Sequence, residues 1–246
     1  MKVLVFGAIS ALALLAVAPA NAATGYVGAA YTRAEVDAGA GDNDADAFGV
    51  EGAVAFDATE SLGLDLDAAY SDSDDSDSVA GATAHLYGRA AGYKFGGFVG
   101  LADTDETIYS VGVEGQRAFG QFTLAGALAY ANADDSDVDA YGVDVEGRFF
   151  ATDNFRLSGK LGYASLEGAA GDDDLLSAGV GAEYQFASLP ISVVGGYTRR
   201  EFDEADVSSD AFTVGVRYNW GGSLKDRDEN GPSFAGLSSL TAALGL

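Results

Sequence analysis

The chain has 246 residues, with 38 Asp and Glu against 13 Lys and Arg, for a formal net charge of −25. That excess excludes DNA or RNA as a partner, because binding a phosphate backbone needs a basic surface. Cysteine is absent, which excludes disulfides, thiolate chemistry and Cys-based metal sites, while 34 Gly against 3 Pro suits a curved sheet better than Pro-rich loops.

Residues 1–22 read as a signal peptide. Lys2 precedes an almost wholly apolar run over 3–17, and Ala20-Asn21-Ala22 supplies an A-x-A cleavage site. The run is too short for a good spanning helix, and no later stretch approaches 18 consecutive apolar residues.

From residue 23 the chain switches repeatedly between period-2 stretches and acidic clusters, which predicts strands joined by turns. Within 61–71, Leu62, Leu64, Leu66, Ala68 and Tyr70 face one way, with Asp65 and Asp67 on the other side. Within 211–220, Phe212, Val214, Val216, Tyr218 and Trp220 oppose Thr213, Arg217 and Asn219. The pattern predicts twelve strands, at 24–37, 46–57, 61–71, 79–90, 94–102, 107–118, 121–132, 139–151, 154–166, 175–187, 189–202 and 211–220, with ten or fourteen left open as strand numbers. The tail, 221–246, begins as a polar linker. Phe234, Leu237, Leu240, Thr241 and Leu244 then follow helical spacing, which predicts a short amphipathic helix in the periplasm, at the barrel mouth or partly inside.

Two kinds of connection alternate along these strands. The segments 57–60, 118–121, 151–153 and 187–189 are short and nearly uncharged. The segments 37–46, 71–78, 103–106, 134–139, 172–174 and 201–210 read as longer loops and hold 23 of the 38 acidic residues, with no Lys or Arg. Alternation puts the two kinds at opposite ends of one up-and-down sheet, as short turns and long outward loops are in membrane barrels.

The aromatic residues decide between a soluble sheet and a membrane barrel. Phe48 and Phe56, Phe122 and Tyr130, Tyr141 and Phe149, Phe155 and Tyr163, and Phe212 and Trp220 form five pairs, each spaced to share one face of a strand. Such a pair spans roughly 20 Å along the axis of a barrel whose strands tilt by about 40°. That is close to the ~25 Å apolar band between two aromatic girdles. Tyr70, Tyr109, Tyr130, Tyr141, Tyr163 and Tyr197 fall at the acidic end, and Phe56, Phe122, Phe149, Phe155, Phe186 and Trp220 at the other. A soluble sandwich core gives no reason for aromatics at both ends of one face at a fixed spacing.

With its leader, alternating strands, girdles and a closing strand Phe212-Thr213-Val214-Gly215-Val216-Arg217-Tyr218-Asn219-Trp220, the chain over 1–220 resembles the outer-membrane β-barrel (porin-like) proteins of Gram-negative bacteria. The resemblance implies an all-β fold with one antiparallel up-and-down transmembrane barrel over 23–220. It implies the Gram-negative outer membrane as location, with membrane lipid and lipopolysaccharide as surroundings. It also implies the barrel assembly machinery as the partner that reads the last strand. One departure stands out: the family's closing aromatic is usually the last residue, and here a tail follows it.

The faces opposite the girdles carry both signs of charge. Arg33, Glu35, Glu51, Asp65, Asp67, Arg89, Glu114, Asp144, Glu146, Arg148, Arg156, Lys160, Glu183, Arg200 and Arg217 are assigned to the lumen, because lipid does not accept them. Twelve strands lie between small barrels filled by side chains and large ones holding an aqueous channel, which predicts a narrow pore.

Enzymatic readings depend on His85, the only histidine. It alternates with Thr83, Tyr87 and Arg89, which places it in mid-strand towards the lumen as a hydrogen-bonded structural residue, so no catalytic role is assigned. The acidic run 71–78 has the oxygen ligands that Ca²⁺ or Mg²⁺ prefer, but a solvated charge run is the better account of any one such cluster. Asp226-x-Asp228-x-Asn230-Gly231 copies half of an EF-hand loop, but Leu237 stands where the bidentate Glu belongs, and the match is read as coincidence. No cofactor or resident metal is expected. The function implied is passive diffusion of small hydrophilic solutes with a preference for cations. The alternative is a non-conducting barrel with a structural, adhesive or surface-stabilising role.

Overall fold

The computed structural model describes residues 23–38, 42–74, 78–104, 106–134, 136–168 and 171–234. The expected signal peptide and the helical spacing beyond Phe234 lie outside the described residues. The strands are β1 (Ala23–Asp37), β2 (Asp42–Asp57), β3 (Leu62–Ser73), β4 (Val79–Ala90), β5 (Tyr93–Asp103) and β6 (Thr107–Phe119). They continue as β7 (Phe122–Ala133), β8 (Val138–Thr152), β9 (Phe155–Gly168), β10 (Gly171–Gln185), β11 (Ile191–Phe202) and β12 (Val207–Trp220), followed by one short helix, α1 (Leu224–Asn230).

Each strand pairs antiparallel with its sequence neighbours, and β1 closes on β12 from Gly25↔Trp220 to Asp37↔Ser208, giving a closed up-and-down barrel of twelve strands. The period-2 pattern explains why. Alternate positions turn apolar side chains outward, so Leu161 and Val180 are 63% exposed, whereas Glu114, Asp144 and Glu183 on the opposite faces are 2–3% exposed. A polar interior under an apolar exterior inverts the arrangement of a soluble protein and suits a lipid surround. The girdle pairs meet across the sheet: Phe122 lies opposite Phe149 with ring centroids 4.8 Å apart, and Tyr130 opposite Tyr141 at 5.3 Å. The closing seam is tight. A Cβ on Gly25 would sit 2.6 Å from the Trp220 ring and 2.2 Å from the Ala53 carbonyl, so only glycine lets the last aromatic lie across β1.

The acidic end differs from its sequence reading. β2, β10 and β12 begin at Asp42, Gly171 and Val207, ahead of the expected starts at 46, 175 and 211. The strand bounds leave connections there as short as those at the other end: 38–41, 74–78, 104–106, 134–137, 169–170 and 203–206. Many carboxylates taken for loop residues are therefore on strand ends, held by ladder pairing. Four of them repeat one device on the outer face. Tyr31 donates to Asp46 (2.6 Å), Tyr130 to Asp139 (2.6 Å), Tyr163 to Asp174 (2.8 Å) and Tyr197 to Asp210. In each case the Asp lies two residues before the residue paired with the Tyr on the next strand.

Candidate functional site in the barrel lumen

Alternation sends Glu51, Glu183, Arg156 and Arg217 inward on four strands, where they form one chain of ion pairs. Arg217 Nε lies 2.7 Å from Glu51 Oε1 and its Nη1 lies 2.9 Å from Glu183 Oε2. Arg156 Nη2 reaches the same Glu183 oxygen at 2.9 Å, and Ser192 Oγ donates to the other at 2.6 Å. The Tyr26 ring lies 4.4 Å from the Arg217 guanidinium carbon and supports it from the side. On β8 and β9 beside this chain, Arg148 bonds Glu146 at 2.6 Å, and Lys160 faces Asp144 at 3.6 Å.

A second cluster surrounds the histidine. His85 is 3% exposed, with Nδ1 2.8 Å from Glu114 Oε1 and Nε2 2.7 Å from Asp67 Oδ2. Both ring nitrogens are engaged by carboxylates, which fixes the imidazole in the wall. Beside it Tyr87 donates to Asp65 at 2.7 Å and receives a bond from Arg89 Nη2 at 2.7 Å, while Arg89 also pairs with Asp57. The Tyr87 ring occupies the space that a side chain at Gly63 would need, since a Cβ there would lie 2.4 Å from it.

Water reaches this level of the lumen, as the Asp67 and Glu51 side chains are 44% and 32% exposed. On the β5–β10 wall near that end, Ala102, Ile108, Ala131, Ala140, Ala164 and Leu175 form a buried apolar cluster. Arg200, on the lumen face of β11, pairs in register with Ser177 and Ser209.

Two of the residues assigned to the lumen are placed elsewhere. Arg33 and Glu35 share the face of Tyr31, opposite Phe212 and Asp46 in the register, and therefore point outward; Arg33 pairs there with Asp44 at the acidic end. The rule that lipid rejects charge does not apply to them, because they stand beyond the tyrosine girdle, where strands rise out of the apolar band.

The largest departure is at the turn end. After Trp220 the chain reverses at Gly221 and Gly222, with φ of +93° and +114°, and enters the lumen. A Cβ on Gly221 would lie 2.3 Å from Thr24. Ser223 and Asp226 then form a capping box, the Ser223 side chain accepting from the Asp226 amide while Asp226 accepts from the Ser223 backbone. The Ser223 hydroxyl, and after it the Ser223 backbone amide, donate to the Asp226 carboxyl and hold it below the usual carboxylate range.

The helix that follows is bound to the wall by polar contacts. Asp228 accepts from Arg148 (2.7 Å) and Thr123 (2.6 Å), and its carbonyl accepts from Gln116 (2.7 Å). Lys94 Nζ donates to the Asp228 carbonyl (3.2 Å), the Gly231 carbonyl (2.8 Å) and Ser233 Oγ (2.7 Å). Arg227 donates to Gln185 at 2.8 Å. Phe234, at the end of the described tail, stacks on His85 at 5.9 Å and meets Tyr87 edge-on at 5.0 Å.

Sequence reasoning had read 221–233 as a linker because Leu224–Asn230 is polar on every side. The signals available were the Ser223-x-x-Asp226 cap and the adjacent glycines. The half EF-hand is a capped helix whose Asp226 and Asp228 are committed to Ser223 and Arg148.

A closed barrel with an apolar exterior, two aromatic girdles and a charged, ion-paired interior defines an integral outer-membrane barrel. The chain belongs to the outer membrane protein β-barrel domain family, whose model matches residues 78–219, and its location is the outer membrane of a Gram-negative bacterium. Among curated proteins none matches the sequence. Solved structures share the fold at low identity. An outer membrane channel from Pseudomonas putida F1 is 14% identical, with a TM-score of 0.60 over 82% of this chain and 96% of that one. The translocator domain of the autotransporter NalP from Neisseria meningitidis is 12% identical, with a TM-score of 0.50 over 87% and 97%. A FadL homologue from Pseudomonas aeruginosa is 8% identical, with a TM-score of 0.51 over 82% and 91%.

Proposed function

We propose that the protein is a porin-like channel for passive diffusion of small hydrophilic solutes, cation-preferring, with no covalent chemistry. The observation that carries this reading is the inward, water-reached charge of both signs. Asp67 and Glu51 are partly exposed in the lumen, beside the Arg217–Glu183–Arg156 chain. A wall of this kind offers a polar solute hydrogen-bond partners at mid-barrel, and the water-reached Asp67 and Glu51 favour cations there. The reading extends to partners: lipopolysaccharide around the acidic end, divalent cations among its carboxylates, and the barrel assembly machinery at β12.

A planar-bilayer recording under a KCl gradient tests the function. Discrete conductance with a cation-selective reversal potential supports it, and anion selectivity contradicts it. A second reading, a non-conducting barrel with a structural, adhesive or surface-stabilising role, is favoured by one observation: α1 occupies the turn end of the lumen.

A further inference from the structure

We propose that residues 221–234 are a stopper that docks in the periplasmic mouth of the barrel and undocks from it, gating the lumen. This regulation rests on the channel reading above.

Three observations carry it. The first is location. The termini of the barrel and the short turns share one end, which is periplasmic in this architecture, and the tail enters from that end, with Phe234 reaching His85. The second is the kind of contact. Apart from Leu224 and Phe234, the tail is held by hydrogen bonds and ion pairs, which exchange with water at a modest net cost.

The third is what the wall keeps when the tail leaves. Arg148 retains Glu146, Arg89 retains Asp57 and Tyr87, and Lys94 retains the Tyr87 ring, 5.4 Å from its Nζ. A buried charge that lost its only partner would hold the tail permanently. Wall cations with second partners leave both states tenable, which is what a two-state element requires. Gly221 and Gly222 supply the bend on which the segment swings.

Lys94 is the latch. Its three protons are all spent on the tail, at Asp228, Gly231 and Ser233. Removing the ammonium strips three acceptors at once and leaves the barrel's own ladder unchanged, because the Lys94 backbone pairs with Arg89 and Gln116.

The test is conductance in planar bilayers of the full chain, of Lys94→Met, and of a chain ending at Gly222. Lys94→Met should raise the open fraction about tenfold. The shortened chain should stay open, and a synthetic peptide of residues 223–234 should close it when added on the turn-end side alone. Since the chain has no cysteine, a Thr123→Cys, Asp228→Cys pair joined by a short thiol crosslinker should hold the full-length barrel shut until the linker is cleaved. This pair decides the matter even if the shortened chain fails to fold. Equal conductance of all forms overturns the stopper and leaves the channel standing. If no folded form conducts, with or without its tail, the channel reading falls and the gate with it.

Discussion

Arg148 of β8 and Asp228 of α1 lie 80 positions apart in sequence and 2.7 Å apart in space, each almost wholly buried. The pair ties the tail to the wall, and its two members are not equivalent. Arg148 holds a second carboxylate, Glu146, at 2.6 Å, whereas Asp228 has Arg148 as its only ion-pair partner among the described residues. Arg148→Met therefore orphans two acids and should cost about 3–5 kcal/mol. Asp228→Asn leaves the guanidinium paired and should cost about 1–2 kcal/mol. Urea unfolding in lipid vesicles reads both, and equal losses would show that the Glu146 contact contributes nothing.

Adjacent residues on β12 face different solvents. Val216 is 54% exposed on the outer face, midway between Phe212 and Trp220, while Arg217 is held inside by Glu51 and Glu183. Val216→Arg should destabilise the folded barrel by roughly 2–4 kcal/mol, as expected for a cation at mid-bilayer depth. Val216→Leu should be nearly silent. The unfolding midpoint in vesicles is the measurement, and a mild Val216→Arg would mean that this face does not meet lipid.

The seam separates assembly from closure. Trp220 packs against Gly25 at the join of β1 and β12, and the tail begins after it. Trp220→Ala should reduce the heat-modifiable, membrane-inserted form, whereas a chain ending at Gly222 should insert normally. Loss of insertion on truncation alone would move the assembly signal into the tail.

The strands were legible because each lies between two media, lipid and lumen, and period 2 records that division residue by residue. The girdle residues Phe122, Tyr130, Tyr141 and Phe149 were legible for the same reason. What failed did so where only one medium exists. Beyond the tyrosine girdle both faces of β1 are wet, so Arg33 and Glu35 carry no sign of which way they point. Asp42, Asp44 and Asp46 have the composition of a loop, and only pairing with Asp37, Glu35 and Arg33 makes them strand. The helix over Leu224–Asn230 lacks an apolar stripe because its partners are the charges of Arg148 and Lys94. An element packed against a polar wall shows no hydrophobic period.

On the channel reading proposed above, the placement of the acids assigns ion selectivity to the lumen. Asp46, Asp139, Asp174 and Asp210 bond the girdle tyrosines on the outer face, so they do not line the path of a solute. Asp67 does face that path, with its side chain 44% exposed and its Oδ2 on His85. In the chain ending at Gly222, Asp67→Asn should therefore lower the cation preference clearly, and Asp46→Asn should change it little. Salt separates the two further. In 1 M KCl the Debye length is about 3 Å, so any contribution from the outer face vanishes, while a charge inside a narrow lumen is screened much less. Reversal potentials under a KCl gradient, measured at low and at high salt, give the comparison. A larger effect from Asp46 than from Asp67 would return the selectivity to the rim and contradict the lumen path.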